Sequence, residues 1–355
     1  MVTFNKLLNF KWILILLSVV ICQLLFVNVA FAQSNIVPLD ITVSPPVFDL
    51  TAKPGDKINE VFRIRNNQSN SIPFKIEARR LVSNPTTGNP EPANDIKGEE
   101  LSWVKFDPDT FSALPREWTD VKFSIEIPDS AAFGYYYVFR LIPQNGKEQK
   151  NTGTAIKGEV LIVVLLNVKK DGAISSAKLS SFNPDSFVSQ YLPVNFNVVL
   201  ENNGNVHVKP HGNIFISRGG KDEISVLNVN EVNGSILPGG KRTFSSSWND
   251  GFITNDVVKD ENGTIKTDSN GKPTTKLSIN WNKLTSLRFG PYTAHLLMVY
   301  DDGKRDQTIE SEAKFWVIPY IPIAIILIGF IVLIILIRMI LRSYIRSQIR
   351  RGDRK

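Results

Sequence analysis

Val121-Lys122-Phe123-Ser124-Ile125-Glu126-Ile127 is the stretch that decides the fold. Apolar and polar residues alternate at every step, so Val121, Phe123, Ile125 and Ile127 share one face and Lys122, Ser124 and Glu126 the other. A period of two is the pattern of a strand with one side on a core and one in water. Upstream and downstream lie further short runs rich in Val, Ile, Phe and Tyr: Ile41–Ser44, Val47–Leu50, Ile58–Arg65, Phe74–Arg80, Trp103–Phe106, Tyr135–Leu141 and Gly158–Asn167. Clusters of Asn, Gly, Pro and Asp separate them, as in an all-β chain. Lys53-Pro54-Gly55-Asp56 reads as a tight turn, with Pro fixing φ and Gly free to take a positive one. Ser83 to Glu100 is polar, with prolines and glycines, and is expected to be a long exposed loop.

The second half repeats the logic through Val194–Leu200, Asn213–Ser217, Ile224–Val229, Thr243–Trp248, Leu277–Asn280, Thr293–Tyr300 and Glu310–Trp316. Asn262-Gly263 and Asn270-Gly271 are hairpin-turn signals within an insertion from about Asn249 to Thr275. Its acids, Asp256, Asp260, Glu261 and Asp268, lack the alternate spacing and closing Glu of a calcium loop, so a solvated loop is expected. Three landmarks recur in the same order in both halves. Asn66-Asn67 matches Asn202-Asn203, Leu114-Pro115 matches Leu237-Pro238, and Phe133-Gly134-Tyr135-Tyr136 matches Phe289-Gly290-Pro291-Tyr292. Three ordered matches point to two copies of one unit. Seven or eight short strands per copy predict two tandem immunoglobulin-like β-sandwiches, joined near Lys169-Lys170-Asp171-Gly172.

The two ends follow a different chemistry. Lys6 and Lys11 precede the apolar run Trp12 to Val29, and Ala30-Phe31-Ala32 offers a small-x-small site, so residues 1–32 read as a secretory signal cleaved before Gln33. The single cysteine, Cys22, falls inside it, which leaves the mature chain without disulfide or thiol chemistry. Phe315 to Ile337 carries no charge; as a helix it would be about 34 Å long, enough for a hydrocarbon core of about 30 Å. Phe315, Trp316 and Tyr320 suit a membrane-interface belt. Arg338, Arg342, Arg346 and Arg350 follow at every fourth position, a basic stripe along one face of a continuing helix, and Arg351, Arg354 and Lys355 add to it. The two ends account for the whole net charge of +7, so the region between is near neutral and carries no nucleic-acid footprint. Basic residues stay on the cytoplasmic side, so the expected order is a signal (1–32), sandwich one (33–168), sandwich two (169–314), a transmembrane helix (315–337) and a cytoplasmic tail (338–355).

Motifs for catalysis are sparse. His207, His211 and His295 do not fall at spacings that converge three or four ligands on zinc, and no metal or other cofactor is expected. Ser102-Trp103-Val104-Lys105 and Ser175-Ser176-Ala177-Lys178 match a Ser-x-x-Lys pattern, but that pattern works only where Ser opens a helix. The first reads as strand and the second as linker. The candidate binding residues are Tyr135, Tyr136 and Tyr137, where Tyr136 points opposite to its neighbours and one face could offer rings to a sugar or a protein. Ordinary aromatic packing at a strand start competes with that reading.

Ser44-Pro45-Pro46-Val47-Phe48-Asp49-Leu50, Lys53-Pro54-Gly55-Asp56 and Phe62-Arg63-Ile64-Arg65-Asn66-Asn67 resemble the opening of Gram-positive WxL-interacting proteins. Trp103-Val104 and Ile127-Pro128 with Phe133-Gly134-Tyr135 resemble the later part of that domain, so the likeness covers about Ile41 to Asn167. It implies a bacterial envelope protein whose first domain contacts peptidoglycan and whose second meets a partner protein. The second domain, around Glu201 to Pro210, departs from that pattern and is similar to general immunoglobulin-like surface domains. The first domain is also distantly similar to pilus-type periplasmic chaperones. Expected partners are therefore the lipid bilayer, and peptidoglycan or another surface protein, in a non-catalytic binding or scaffold role. A membrane-tethered chaperone or assembly factor is the alternative, and a tethered enzyme the weaker one.

Overall fold

The computed structural model describes residues 37–95, 98–144, 156–157, 159–219, 221–260, 263–269 and 271–352; the expected signal segment and Cys22 lie outside them. The first half runs β1 (Val37–Pro38), β2 (Ile41–Ser44), β3 (Val47–Ala52), β4 (Lys57–Asn66), β5 (Ile72–Ser83), β6 (Pro90–Pro92), β7 (Val104–Asp107), β8 (Thr110–Ala113), β9 (Trp118–Glu126), β10 (Phe133–Pro143), β11 (Ile156–Lys157) and β12 (Val160–Val168). The second runs β13 (Ala177–Pro184), β14 (Val188–Ser189), β15 (Val194–Asn202), β16 (His211–Arg218), β17 (Lys221–Val229), β18 (Lys241–Trp248), β19 (Ile253–Val257), β20 (Thr275–Ile279), β21 (Gly290–Asp301) and β22 (Asp306–Val317). A long helix, α1 (Tyr320–Gly352), closes the described chain.

Each half is an immunoglobulin-like sandwich. In the first, the sheet β3-β12-β10-β5-β6, with β8 also on β5, faces the sheet β2-β4-β9-β7. In the second, β14-β22-β21-β16-β17 faces β13-β15-β18. The opening strand crosses between sheets in both copies. β2 lies antiparallel on β4 before β3 joins β12 in parallel, and β13 lies antiparallel on β15 before β14 joins β22 in parallel. The alternating residues of β9 fill the first core, where Phe123 meets Phe48, Phe62 and Phe139 at ring-centroid distances of 5.1, 6.2 and 4.9 Å. Phe315 is the counterpart in the second core, 5.3 Å from Phe196, 5.8 Å from Trp248 and 5.6 Å from Tyr292.

The repeated landmarks are repeated hydrogen bonds. Asn66 and Asn202 are both fully buried. The Asn66 side-chain amide donates to the Asn70 and Ala113 carbonyls at 2.7 and 3.0 Å, and its Oδ1 accepts from the Gln68 N–H. The Asn202 amide donates to Val206 and Ile236, both at 2.8 Å, and its Oδ1 accepts from Gly204. Ala113 and Ile236 are the residues just before the two Leu-Pro pairs, so one asparagine per sandwich ties two separate loops together. The third match needs a shift of one residue. The Tyr135 hydroxyl accepts from the Ala132 N–H and the Tyr292 hydroxyl from the Phe289 N–H, so Tyr135, not Tyr136, is the counterpart of Tyr292. Phe133 and Gly290 then occupy the same place, both at positive φ, 68° and 108°.

Three expectations are corrected. Residues 83–95 are not a free exposed loop: β6 pairs back on β5, and Gly88 and Ala93 are buried. Trp103 and its neighbour Ser102 belong to a short 3-10 helix, Glu99–Trp103, rather than a strand. Phe315 is not at a membrane interface, because β22 continues to Val317 and its alternation turns Ala313, Phe315 and Val317 inward. In the insertion, β19 and β20 form a hairpin of their own, so the strand expected at Leu277–Asn280 belongs to the insertion and not to the sandwich, and Asp260 and Asp268 accept from the Thr264 and Lys272 N–H groups at 2.8 and 2.9 Å.

Two outcomes follow for stability. Asn202→Ala leaves two buried carbonyls without their donor and is expected to cost about 2–3 kcal/mol in denaturant unfolding, with the exposed Asn203→Ala near zero. Phe315→Ala empties the centre of a core and is expected to cost about 3–5 kcal/mol, well above Trp316→Ala on the outer face of the same strand.

Candidate functional site

The strongest concentration of polar chemistry lies where the two sandwiches meet. Leu81, Val138 and Leu165, on the outward face of β5-β10-β12, are covered by Leu237 of the second sandwich, with Tyr136 and Val163 at the margin. Gly88 seats the 84–90 turn against the second sandwich: it has φ +71°, and an added Cβ would stand 1.3 Å from the Lys241 carbonyl oxygen. Beside this apolar contact, Asp49 on β3 accepts from His207 Nε2 at 3.2 Å and pairs with the Lys209 ammonium. The His207 ring is nearly buried and meets Tyr136 edge-on, 5.7 Å between centroids. Asp49, His207 and Lys209 line an open cleft of about 650 Å³ that also takes in Asn167, Lys169 and Asp302. Hydrogen bonding from His207, then from Lys209, outweighs burial and holds the Asp49 carboxyl at about 2.

The tyrosine triplet is used internally. Tyr137 is fully buried in the first core. Tyr135 packs on Trp103 at 4.7 Å and closes the corner at Ala132. Tyr136 folds over Gly134 and reaches the junction, where burial pushes its hydroxyl above the usual phenol range, so the ring is a neutral contact surface. Tyr135 and Tyr136 are partly buried, and Tyr137 alone of the three is fully enclosed.

The Leu-Pro shoulder has opposite fates in the two copies. Leu237 is buried under the first sandwich, whereas its counterpart Leu114 is 49% exposed at the far end of the molecule. Trp118 beside it is 45% exposed, with the Arg63 guanidinium 5.9 Å from its ring centroid. A second open feature is the edge of β22. Among the described residues β14 covers only Trp316 and Val317, and no other strand pairs with Asp306–Phe315 on that side.

α1 holds one apolar window, Tyr320–Arg342, long enough to cross a membrane and not buried against the rest of the protein. Tyr320 is 52% and Trp316 37% exposed at the junction of sandwich and helix. The helix continues through positions 338, 342, 346 and 350, so one regular backbone carries the four arginine positions. The Ser-x-x-Lys matches do not converge. Ser102 Oγ donates to the Glu99 carbonyl while Lys105 pairs with Glu126 at 2.7 Å, and Ser175 Oγ donates to the Asp301 carbonyl. Of the histidines, His295 pairs with Glu312 at 2.8 Å on an exposed sheet face, far in sequence and sheet position from His207. Among the described residues no group of three His, Cys, Asp or Glu side chains could hold a metal ion.

No protein-family model matches the chain, and no curated protein matches it. Among solved structures it is similar to the CupB2 chaperone of Pseudomonas aeruginosa, with 10% identity and a TM-score of 0.34 over 76% of this chain and 98% of that one. The E. coli chaperone DraB gives 9% identity and a TM-score of 0.34 over 78% of this chain and 98% of that one. A family 123 glycoside hydrolase from Clostridium perfringens gives 9% identity and a TM-score of 0.26 over 37% of this chain and 27% of that one. Likenesses at this level carry no conclusion about activity or binding.

The junction has a defined pH response. The Asp49 carboxyl titrates at about 2 in the fold, below the roughly 3.9 of a free aspartate. Its contribution is therefore complete above about pH 4 and lost as pH falls towards 2. Inter-domain distance measured by paired fluorophores is expected to become heterogeneous over that acid range in the wild type. In Asp49→Asn it is expected to be looser at neutral pH and insensitive to the same titration.

Proposed function

We propose that the protein is a membrane-anchored, non-catalytic binding protein of a bacterial envelope, whose two joined sandwiches stand outside the bilayer and dock a partner protein. The observation that carries this reading is the repeated Leu-Pro shoulder. In the second sandwich it already holds a protein surface, the outward sheet face of the first. In the first sandwich the same shoulder, Leu114 with Trp118, is open. An exposed tryptophan and leucine beside an arginine is the composition of a protein contact centre. The apolar window of α1 followed by four arginines supports crossing with the sandwiches on the non-cytoplasmic side.

A second reading, a tethered chaperone or assembly factor, is supported by the β22 edge. Trp316 donates its N–H outward to Phe187. Alternation along the strand then turns the N–H groups of Lys314, Glu312 and Glu310 to the same uncovered side, where an extended segment could add as a strand.

A photo-crosslinking residue placed at position 114 in the full-length protein in cells is expected to yield a discrete protein adduct, absent from position 226 on β17. Trp118→Ala is expected to reduce the adduct strongly. An adduct from position 314 instead would favour strand capture. Retention of the purified chain on peptidoglycan, with no adduct from 114, would overturn the partner-docking reading in favour of the cell wall.

A further inference from the structure

We propose that the end of the second sandwich nearest α1 is an interfacial foot, with Phe187, Trp281, Leu284, Leu287 and Phe289 seated in the headgroup region of the leaflet that α1 enters. The inference rests on α1 being a membrane span and adds a second, peripheral contact with the same bilayer. Position comes first. β21 opens at Gly290 opposite Val317, and α1 begins at Tyr320, so the segment leading into β21 lies where the chain leaves the sandwich. Leu287 and Phe289 line one crevice with Val317 and Pro319. Phe187 lies at the same end, its carbonyl accepting from the Trp316 N–H at 2.8 Å.

Exposure comes second. Phe187, Trp281, Leu284, Leu287 and Phe289 are 62, 73, 60, 57 and 46% exposed, as open as Leu327 and Ile331 in the span, which are each 57% exposed. A cluster of this size and composition at one end of a soluble body marks a contact surface. Tryptophan and phenylalanine are the residues that favour the membrane–water boundary. The segment is also held in place. Trp281 packs edge-on against Phe252 at 5.5 Å, and Phe252 is tied by backbone hydrogen bonds to Ser286 and Asn280 at 3.0 and 2.8 Å.

Charge agrees. Asp250 is the acid of the neighbouring turn, and it is held by Lys283 and Arg288, both at 2.8 Å. Residues 280–291 contain those two cations and no acid, and residues 186–193 contain no charge. The surface next to the span therefore offers apolar rings and a slight positive excess, which suits phosphate-bearing headgroups.

The test uses the full-length protein with Cys22→Ser, reconstituted in vesicles of phosphatidylcholine and phosphatidylglycerol. Single fluorescent labels are placed at Leu284→Cys, at Ile331→Cys within the span and at Val232→Cys, which is 86% exposed at the opposite end of the second sandwich. Quenching by nitroxide lipids is compared with quenching by iodide. The expected result is several-fold stronger lipid quenching at 284 than at 232, with 331 strongest. Lipid quenching at 331 with 284 as iodide-accessible as 232 overturns the foot and leaves the span intact. Protection at 284 from both quenchers means that a second protein surface covers the cluster, and it also overturns the foot. Loss of lipid quenching at 331 overturns the span, and the foot with it.

Discussion

The contact of two apolar sheet faces, unaided by any covalent cross-link, is the constraint on which this molecule rests. Its one cysteine is Cys22, so no disulfide can pin the sheets of either sandwich. The cores answer with aromatic packing around a single ring in each copy, Phe123 in one and Phe315 in the other. The buried asparagines Asn66 and Asn202 complement this. Each fixes loop backbone that the sheets themselves cannot hydrogen-bond, so the strand ends are set by polar bonds and the strand bodies by burial.

Having two copies of one unit also explains how they are joined. A sandwich shoulder with an exposed leucine is a surface waiting for cover, and in the second copy the first sandwich supplies it. The cover is specific because close approach requires Gly88, and because Asp49 places a carboxylate against His207 and Lys209 beside the apolar patch. Apolar burial gives the junction its attraction, and the ionic group sets its registry. The short segment between Val168 and Ala177 then has little to decide about the angle between the sandwiches.

Much of this was legible in the residues. Period-two alternation located the strands, and the paired Asn, Leu-Pro and Gly-Tyr landmarks located the duplication. The junction leaves a fainter signal in the sequence. Val160 to Leu166 is apolar almost throughout, and a strand without alternation is buried on both faces, so β12 had to meet something beyond its own core. For the tyrosine triplet, alternation says that faces differ but not what lies beyond the outer one, which for Tyr136 is the His207 ring. Phe315 reads as part of the span because uncharged residues run without a break from β22 into α1. The parity of Ala313, Phe315 and Val317 against Lys314 was the information that separated strand from helix.

The exit of the chain from the second sandwich is where fold and function meet. Only Ile318 and Pro319 separate β22 from α1, and the Ile318 N–H is itself bonded to the Ser189 carbonyl. A helix joined with so little slack cannot swing freely beneath the sandwich, so the tilt of one constrains the tilt of the other. A lone span would still leave rotation about the membrane normal and rocking at that joint. The proposed foot beside the joint would oppose the rocking, because lifting it would return Trp281 and Leu284 to water. In the proposed placement the junction passes the same restraint to the first sandwich, which would hold Leu114 and Trp118 at a set height above the lipid. A binding surface presented this way gives up less orientational freedom when it meets a partner than one on a flexible stalk.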